Sequence, residues 1–225
     1  MSSIYEQRPK LGAADFDHWR SRYRSTSYED QVKYHDWVWK DYPEQRHYNL
    51  EAATLFFQSI PQPRRVLEIG GWTGDVANHI LRAKAYDGAK DKRFRSIALW
   101  TNIEICRGAA ARPVCKDFRY EPRVLDCWVW EMPEDWFKPY DVVFMSHSIE
   151  HMSSEDVTKL LSRITSARYL YIDAPLAWSG TDWQGYMGTH ILRWGWQALL
   201  EELAKHGWEQ VFDMDTTRMF RRYGA

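Results

Sequence analysis

Apolar positions along this chain recur first at a helical spacing, then alternately at strand and helical spacings. Residues 1–26 are polar and irregular and read as an arm or a short helix. Ser27 with Asp30 resembles a capping box, and Val32, His35 and Trp39 follow at helical spacing. A second helix starts after Asn49, with Ala52, Leu55, Phe56 and Ile60 on one face, and Pro61 stops it. The pattern then changes. Residues 65–69 (Arg-Val-Leu-Glu-Ile) make a short apolar strand that runs into glycines, and the next helix carries Val76, Ile80 and Ala83. The charged stretch 85–95 reads as a loop, and residues 96–105, 123–127 and 140–145 read as strands. Ser153 and Asp156 cap a helix bearing Val157, Leu160, Leu161 and Ile164, and residues 167–172 form another strand. Trp196, Leu199, Leu200 and Leu203 mark a helix that closes at Gly207. The segments 208–212 and 217–223 read as a final hairpin around Asp213-Met214-Asp215. Strands alternating with helices predict an α/β fold with a mainly parallel sheet covered on both faces, and such sheets tolerate an antiparallel edge.

Composition narrows the classes. With 225 residues, 44% hydrophobic and 27% charged, the chain can bury a sizeable core. No apolar run approaches the ~20 residues of a membrane span. The segment at residues 1–10 lacks the apolar stretch of a secretory signal. Cys106, Cys115 and Cys127 are odd in number and have no CxxC spacing, so neither a disulfide framework nor a zinc site is expected, and a cytoplasmic location fits best. Net charge is −1, and residues 1–48 hold eight basic and eight acidic side chains. A polyanion such as nucleic acid is therefore not an expected partner. The 13 tryptophans could stack on a planar ligand or simply pack.

The most informative stretch is Val66-Leu67-Glu68-Ile69-Gly70-Gly71-Trp72-Thr73-Gly74-Asp75. It follows a predicted strand and opens a predicted helix, a context in which glycines let a ligand approach the backbone. A dinucleotide fingerprint fits poorly. Its second glycine falls on Trp72, and Asp75 would repel a pyrophosphate at the helix start. The stretch resembles the first motif of the class I S-adenosylmethionine-dependent methyltransferases. Glu68, Gly70 and Gly74 match it, Trp72 takes the usual place of the middle glycine, and Gly71 stands beside it in compensation. The resemblance covers residues 60–223. It implies a Rossmann-like, doubly wound, mainly parallel seven-stranded sheet with an antiparallel C-terminal hairpin strand and N-terminal capping helices. Residues 1–60 would be the arm and capping helices, and residues 61–225 the S-adenosylmethionine-binding domain.

By the same resemblance, Glu68 orients the methionine ammonium group and Gly70 approaches the cofactor, with Gly71, Trp72 and Gly74 completing the loop. Glu104, at the end of the second strand, would accept from the ribose hydroxyls, and Asp126, with the backbone N–H of Cys127, would face the adenine. Residues 140–152 (Tyr-Asp-Val-Val-Phe-Met-Ser-His-Ser-Ile-Glu-His-Met) look like the segment after the fourth strand of small-molecule members. That resemblance places Ser146 and His147 along the methionine and sulfur, whereas His151 reads better as a capping or packing residue. The Asn/Asp-Pro-Pro-aromatic tetrad of amino-methylating DNA enzymes and the Pro-Cys of cytosine-C5 enzymes are both missing.

Methyl transfer is an in-line displacement that needs alignment and exclusion of water, and a hydroxyl acceptor also needs a base. His147 and His190 are the histidines at hand, with Trp178, Trp183, Tyr186 and His190 forming an acceptor-side loop. The expected function is methyl transfer to a small molecule, with oxygen slightly preferred over nitrogen. No metal and no membrane partner are expected. A catalytically silent binding protein, or a nucleic-acid or protein methyltransferase, is the alternative.

Overall fold

A computed structural model describes residues 27–41, 49–83, 94–176, 192, 194–214 and 216–224. Among the described residues two helices come first, α1 (Tyr28–Asp41) and α2 (Leu50–Ser59). The side chain of Asn49 accepts from the Ala52 N–H at 3.0 Å and so caps α2, as the sequence suggests. The buried face of α2 is Ala52, Ala53, Phe56 and Phe57, so Ala52 and Phe56 lie inward as expected while Leu55 is 40% exposed and Phe57 takes its place. Rows through either residue have helical spacing, and packing against the sheet selects Phe57.

Seven strands follow among the described residues: β1 (Arg65–Ile69), β2 (Leu99–Ile103), β3 (Tyr120–Arg123), β4 (Val142–Ser146), β5 (Tyr169–Asp173), β6 (Trp208–Met214) and β7 (Thr217–Arg222). They lie in the order β3-β2-β1-β4-β5-β7-β6. Pairing is parallel except where β7 joins β5 and β6. The intervening helices are α3 (Asp75–Arg82), α4 (Arg107–Ala111), α5 (Glu134–Phe137), α6 (Ser154–Arg163) and α7 (Trp196–Lys205). This is the α/β architecture expected from the sequence, including the antiparallel C-terminal hairpin.

Strand alternation splits the core in two. Val66, Trp100, Val142, Phe144, Tyr169, Tyr171 and Met219 pack on one face against α2 and α3. Leu67, Ile69, Ile103, Val143, Met145, Leu170 and Ile172 pack on the other against α6 and α7. A buried parallel strand needs apolar residues on both faces, which is why the central strands read as continuous apolar runs.

Three strands differ from the sequence reading, the second being Leu99–Ile103 rather than 96–105. The third was placed at residues 123–127 but spans Tyr120–Arg123, a Tyr-Glu-Pro-Arg segment. Its place at the sheet edge explains the proline, which removes no ladder hydrogen bond that a second neighbour would need. The sixth continues to Met214, with a register shift between Gln210 and Phe212. Among the described residues no helix is long and apolar enough to cross a membrane.

Candidate functional site

Ligands of open α/β sheets bind beyond the carboxyl ends of the strands. Here the ends of β1, β2 and β4 converge. The register aligns Glu68 with Asn102 on one side and with Phe144 on the other. The segment after β1 is the glycine loop. Gly70 has φ +75° and donates its N–H to the Ile103 carbonyl at 2.8 Å. A Cβ on Gly70 would stand 2.7 Å from the Ser148 Cβ, so the loop lies directly against the turn after β4. Gly74 has φ +79°, and a Cβ there would meet the Tyr120 hydroxyl at 2.3 Å. Gly71 is needed for space instead: a Cβ would fall 2.3 Å from Cδ of Glu68 and 2.7 Å from Oδ1 of Asn102. Trp72, in the position of the middle glycine, has φ +50°, a region L-residues seldom enter.

Two carboxyl groups support this loop. Glu68 is wholly buried. Its Oε2 accepts from the Trp100 indole N–H at 2.8 Å, while Oε1 has no hydrogen-bond partner. Its carboxyl thus faces the underside of Gly71. Burial, aided by the charges of Glu104 and Asp75 and opposed by the Trp100 hydrogen bond, pushes its pKa up to about 8. The folded state therefore holds a proton that the unfolded chain releases above its ordinary value near 4.5. Stability from this group is complete below that value and is lost as pH rises towards 8. Glu68→Gln, which keeps the shape without the charge, is expected to flatten this dependence. It should gain roughly 1–3 kcal/mol over the parent between pH 5 and pH 8 in denaturant titrations. Parallel pH curves for the two proteins would show that Glu68 is ionised when buried.

Glu104 lies just past β2 and is also buried. Its Oε2 accepts from the Trp72 N–H and its Oε1 from the Cys106 N–H, both at 2.9 Å. Burial raises its pKa, against the pull of backbone N–H groups of Cys106, Trp72 and Ile105. A carboxylate has about four acceptor positions, so capacity remains for a further donor.

The turn after β4 carries the third group. Ser146 is buried, and its hydroxyl lies 3.4 Å from Oδ2 of Asp173 at the end of β5. His147 has φ +52°, and its N–H donates to the Asp173 carbonyl at 2.8 Å. Its Nδ1 lies 3.4 Å from Oε1 of Glu150 and its Nε2 3.8 Å from Oδ2 of Asp173. Both carboxylates are 1% exposed, whereas the imidazole is 32% exposed. Burial disfavours the charged imidazole, but the hydrogen bond and charge of Glu150, with the charge of Asp173, outweigh it and raise its pKa above the ordinary histidine value. Burial likewise pushes Glu150 up, yet His147 and His151 hold it below the usual carboxylate range. Oε2 of Glu150 and the buried Ser148 hydroxyl have no hydrogen-bond partner.

Helix α1 lies across these strand ends. Asp36 accepts from the Arg107 N–H at 3.1 Å, and the Tyr28 hydroxyl donates to the Leu125 carbonyl. Tyr28 also meets Trp128 edge-to-face at 5.1 Å, and His35 meets His151 at 6.0 Å.

The structure thus brings together Glu68, Gly70, Gly71, Trp72, Gly74, Glu104, Ser146 and His147. Asp126 and Cys127 stand beyond the end of β3, not within a strand, and the Asp126 side chain is 99% exposed, 4.0 Å from Arg107. Trp178, Trp183, Tyr186 and His190 lie outside the described residues. Sequence reasoning passed over the roles of Asn102, Trp100 and Asp173. The signal for Asn102 was a polar amide inside the otherwise apolar β2.

A glycine loop after the first strand, a carboxylate after the second and this strand order define a methyltransferase of the class I α/β type. The chain belongs to the methyltransferase-domain family, whose model matches residues 42–224. No curated protein matches the sequence. Similar solved structures include the methyltransferase domain of bacterial CtHen1, with 16% identity, covering 76% of this chain and 96% of that one at a TM-score of 0.52. The N-terminal domain of EvdMO1 with SAH bound has 14% identity, 79% and 82% coverage and a TM-score of 0.54. Phosphoethanolamine N-methyltransferase 2 of Haemonchus contortus, in complex with phosphomonomethylethanolamine and S-adenosylhomocysteine, has 19% identity, 85% and 46% coverage and a TM-score of 0.55. At such identities the likeness concerns the fold. S-adenosylmethionine is the methyl donor of the class. The chain's own residues fit it: a glycine cradle that side chains would fill, a carboxylate with spare acceptor capacity, and an unsatisfied buried hydroxyl beside Gly70.

Proposed function

We propose that this protein transfers a methyl group to a small-molecule acceptor, with oxygen as the preferred target atom and nitrogen next. The observation that carries the reading is His147, held in a left-handed conformation between two buried carboxylates beside the glycine loop. S-adenosylmethionine, when bound, supplies a carbon activated by its sulfonium. Gly70, Gly71, Trp72 and Gly74 shape the cradle. Glu104 would hold the ribose hydroxyls, Asp126 with the Cys127 N–H the adenine, and Ser146 with His147 the methionine end. Glu68 would act on the methionine end through the loop it supports, since its carboxyl is sealed beneath Gly71.

In its neutral form His147 would direct its Nδ1 proton towards Glu150, and Nε2, on the Asp173 side, would take the acceptor's proton, so that the charged ring lies between the two carboxylates. Helix α1, pinned at Asp36 and Tyr28, covers the strand ends and excludes water, an arrangement suited to a small acceptor. Residues 1–60 would then act as the covering segment of the domain at 61–225, with Trp178, Trp183, Tyr186 and His190 on the acceptor side.

The test is a methyl-transfer screen with S-adenosylmethionine over small alcohols, phenols, carboxylates and amines, with RNA oligonucleotides and a protein mixture alongside. Release of S-adenosylhomocysteine with a small molecule is the expected outcome. Turnover confined to RNA or protein would overturn the small-molecule reading.

A further inference from the structure

We infer that Asn102 is a positioning residue for the donor loop, and that its side-chain amide is what allows a tryptophan to occupy the place of the middle glycine. The inference rests on the donor reading above. Trp72 sits at φ +50°, where a bulky side chain is strained and glycine is not. Such a conformation persists only when its surroundings over-determine it.

Asn102 supplies that determination from the floor of the site. It is wholly buried in the fourth position of β2, in register with Glu68. Its Oδ1 accepts from the Gly71 N–H at 3.0 Å, and its Nδ2 donates to the Trp72 carbonyl at 3.1 Å. One amide therefore grips the backbone on both sides of the Gly71–Trp72 peptide unit. Glu104 takes the remaining N–H, that of Trp72, at 2.9 Å. The N–H groups of Gly70, Gly71 and Trp72 and the Trp72 carbonyl are then fixed by β2 and its tip, while the Gly71 carbonyl accepts from the Gly74 N–H at 2.8 Å. Nδ2 also donates to the Tyr120 hydroxyl at 2.8 Å, the same hydroxyl that closes the space over Gly74. The amide thus ties both ends of the glycine loop to the edge of the sheet. An aspartate could not replace it, because the Trp72 carbonyl needs a donor. A threonine could not either, because a single hydroxyl oxygen would have to reach the Gly71 N–H, the Trp72 carbonyl and the Tyr120 hydroxyl that the amide meets with two separate atoms.

If the amide exists to hold Trp72 in a left-handed turn, its loss should matter with tryptophan at position 72 and matter far less with glycine there. The experiment is a double-mutant cycle on the full chain, read by calorimetric titration with S-adenosylhomocysteine for the parent, Asn102→Leu, Trp72→Gly and the pair. Asn102→Leu is expected to weaken binding about tenfold in the parent and less than about threefold in the Trp72→Gly background. A general loss of packing would be the same in both backgrounds, so equal losses would overturn the inference while leaving the donor assignment intact. If Asn102→Leu fails to fold, Asn102→Asp keeps the acceptor for Gly71 and removes the donor to Trp72, and the same ratio is read from it. Failure of the parent itself to bind S-adenosylhomocysteine would sink the donor reading and this inference with it.

Discussion

Replacing Gly71 by alanine is expected to lower affinity for S-adenosylhomocysteine about a hundredfold and to cost the fold about 2–4 kcal/mol. The added Cβ would lie 2.3 Å from Cδ and 2.6 Å from Oε2 of Glu68, and 2.7 Å from Oδ1 of Asn102. These side-chain ends have little room to retreat. Glu68 and Asn102 are wholly buried, and Glu68 is tied to the Trp100 indole. The loop must rise instead, and the Gly71 and Trp72 N–H groups then lose the partners that hold them. Overpacking contributes about 1–3 kcal/mol, and the two hydrogen bonds about 0.5 kcal/mol each. For a domain of this size the melting temperature should fall by roughly 4–16 °C. Gly207→Ala is the control. Unlike Gly71 it has a positive φ, of +79°, and its new Cβ meets nothing closer than Arg222 Nη1 at 3.7 Å. It should lose some stability and no affinity. Donor binding by Gly71→Ala within about threefold of the parent would mean the cradle does not form as described.

The second large effect concerns His147. Turnover on a hydroxyl acceptor should rise with pH through a pKa above the ordinary value of 6.5. The charged ring cannot accept a proton, and Glu150 with Asp173 stabilises that charged ring. Below that pKa, log kcat should climb by about one for each pH unit. His147→Gln should reduce kcat by about 10²–10⁴ and remove this limb. Glu150→Gln should move the limb towards lower pH, because it removes a charge that favours imidazolium. A profile with the same midpoint in all three proteins would show that another group takes the proton.

The sequence carried the fold well where burial was complete. Strand β1 is where the apolar run places it, and Ser153 caps α6 as its spacing with Asp156 suggests, accepting from the Asp156 N–H at 3.2 Å. Legibility failed where an element has one neighbour or one buried row among several. β3 hides as Tyr-Glu-Pro-Arg, because an edge strand can carry proline and charge, while the more apolar Val124-Leu125 pair lies in the connection. In α2 the rows through Leu55 and Phe57 are both regular, and the sheet alone decides between them. In the candidate site, the glycines and carboxylates could be listed from spacing, but their partners could not. That Glu68 serves Trp100, and that Asn102 grips the Gly71–Trp72 unit, depends on residues 32 and 31 positions apart in sequence being brought together by the pairing of β1 with β2.

The adjacency of β1 and β4 has a consequence for how this chain is made. The cradle that begins at Gly70 abuts Ser148. A nascent chain that has emerged only through residue 140 carries the entire glycine loop but lacks the strand and turn that close it. Donor molecules can favour only the state they bind, so they cannot assist the early part of synthesis. Until β4 emerges, the apolar residues of β1 must be shielded by other means, and a stall in translation within that interval would leave a species that no amount of cofactor rescues.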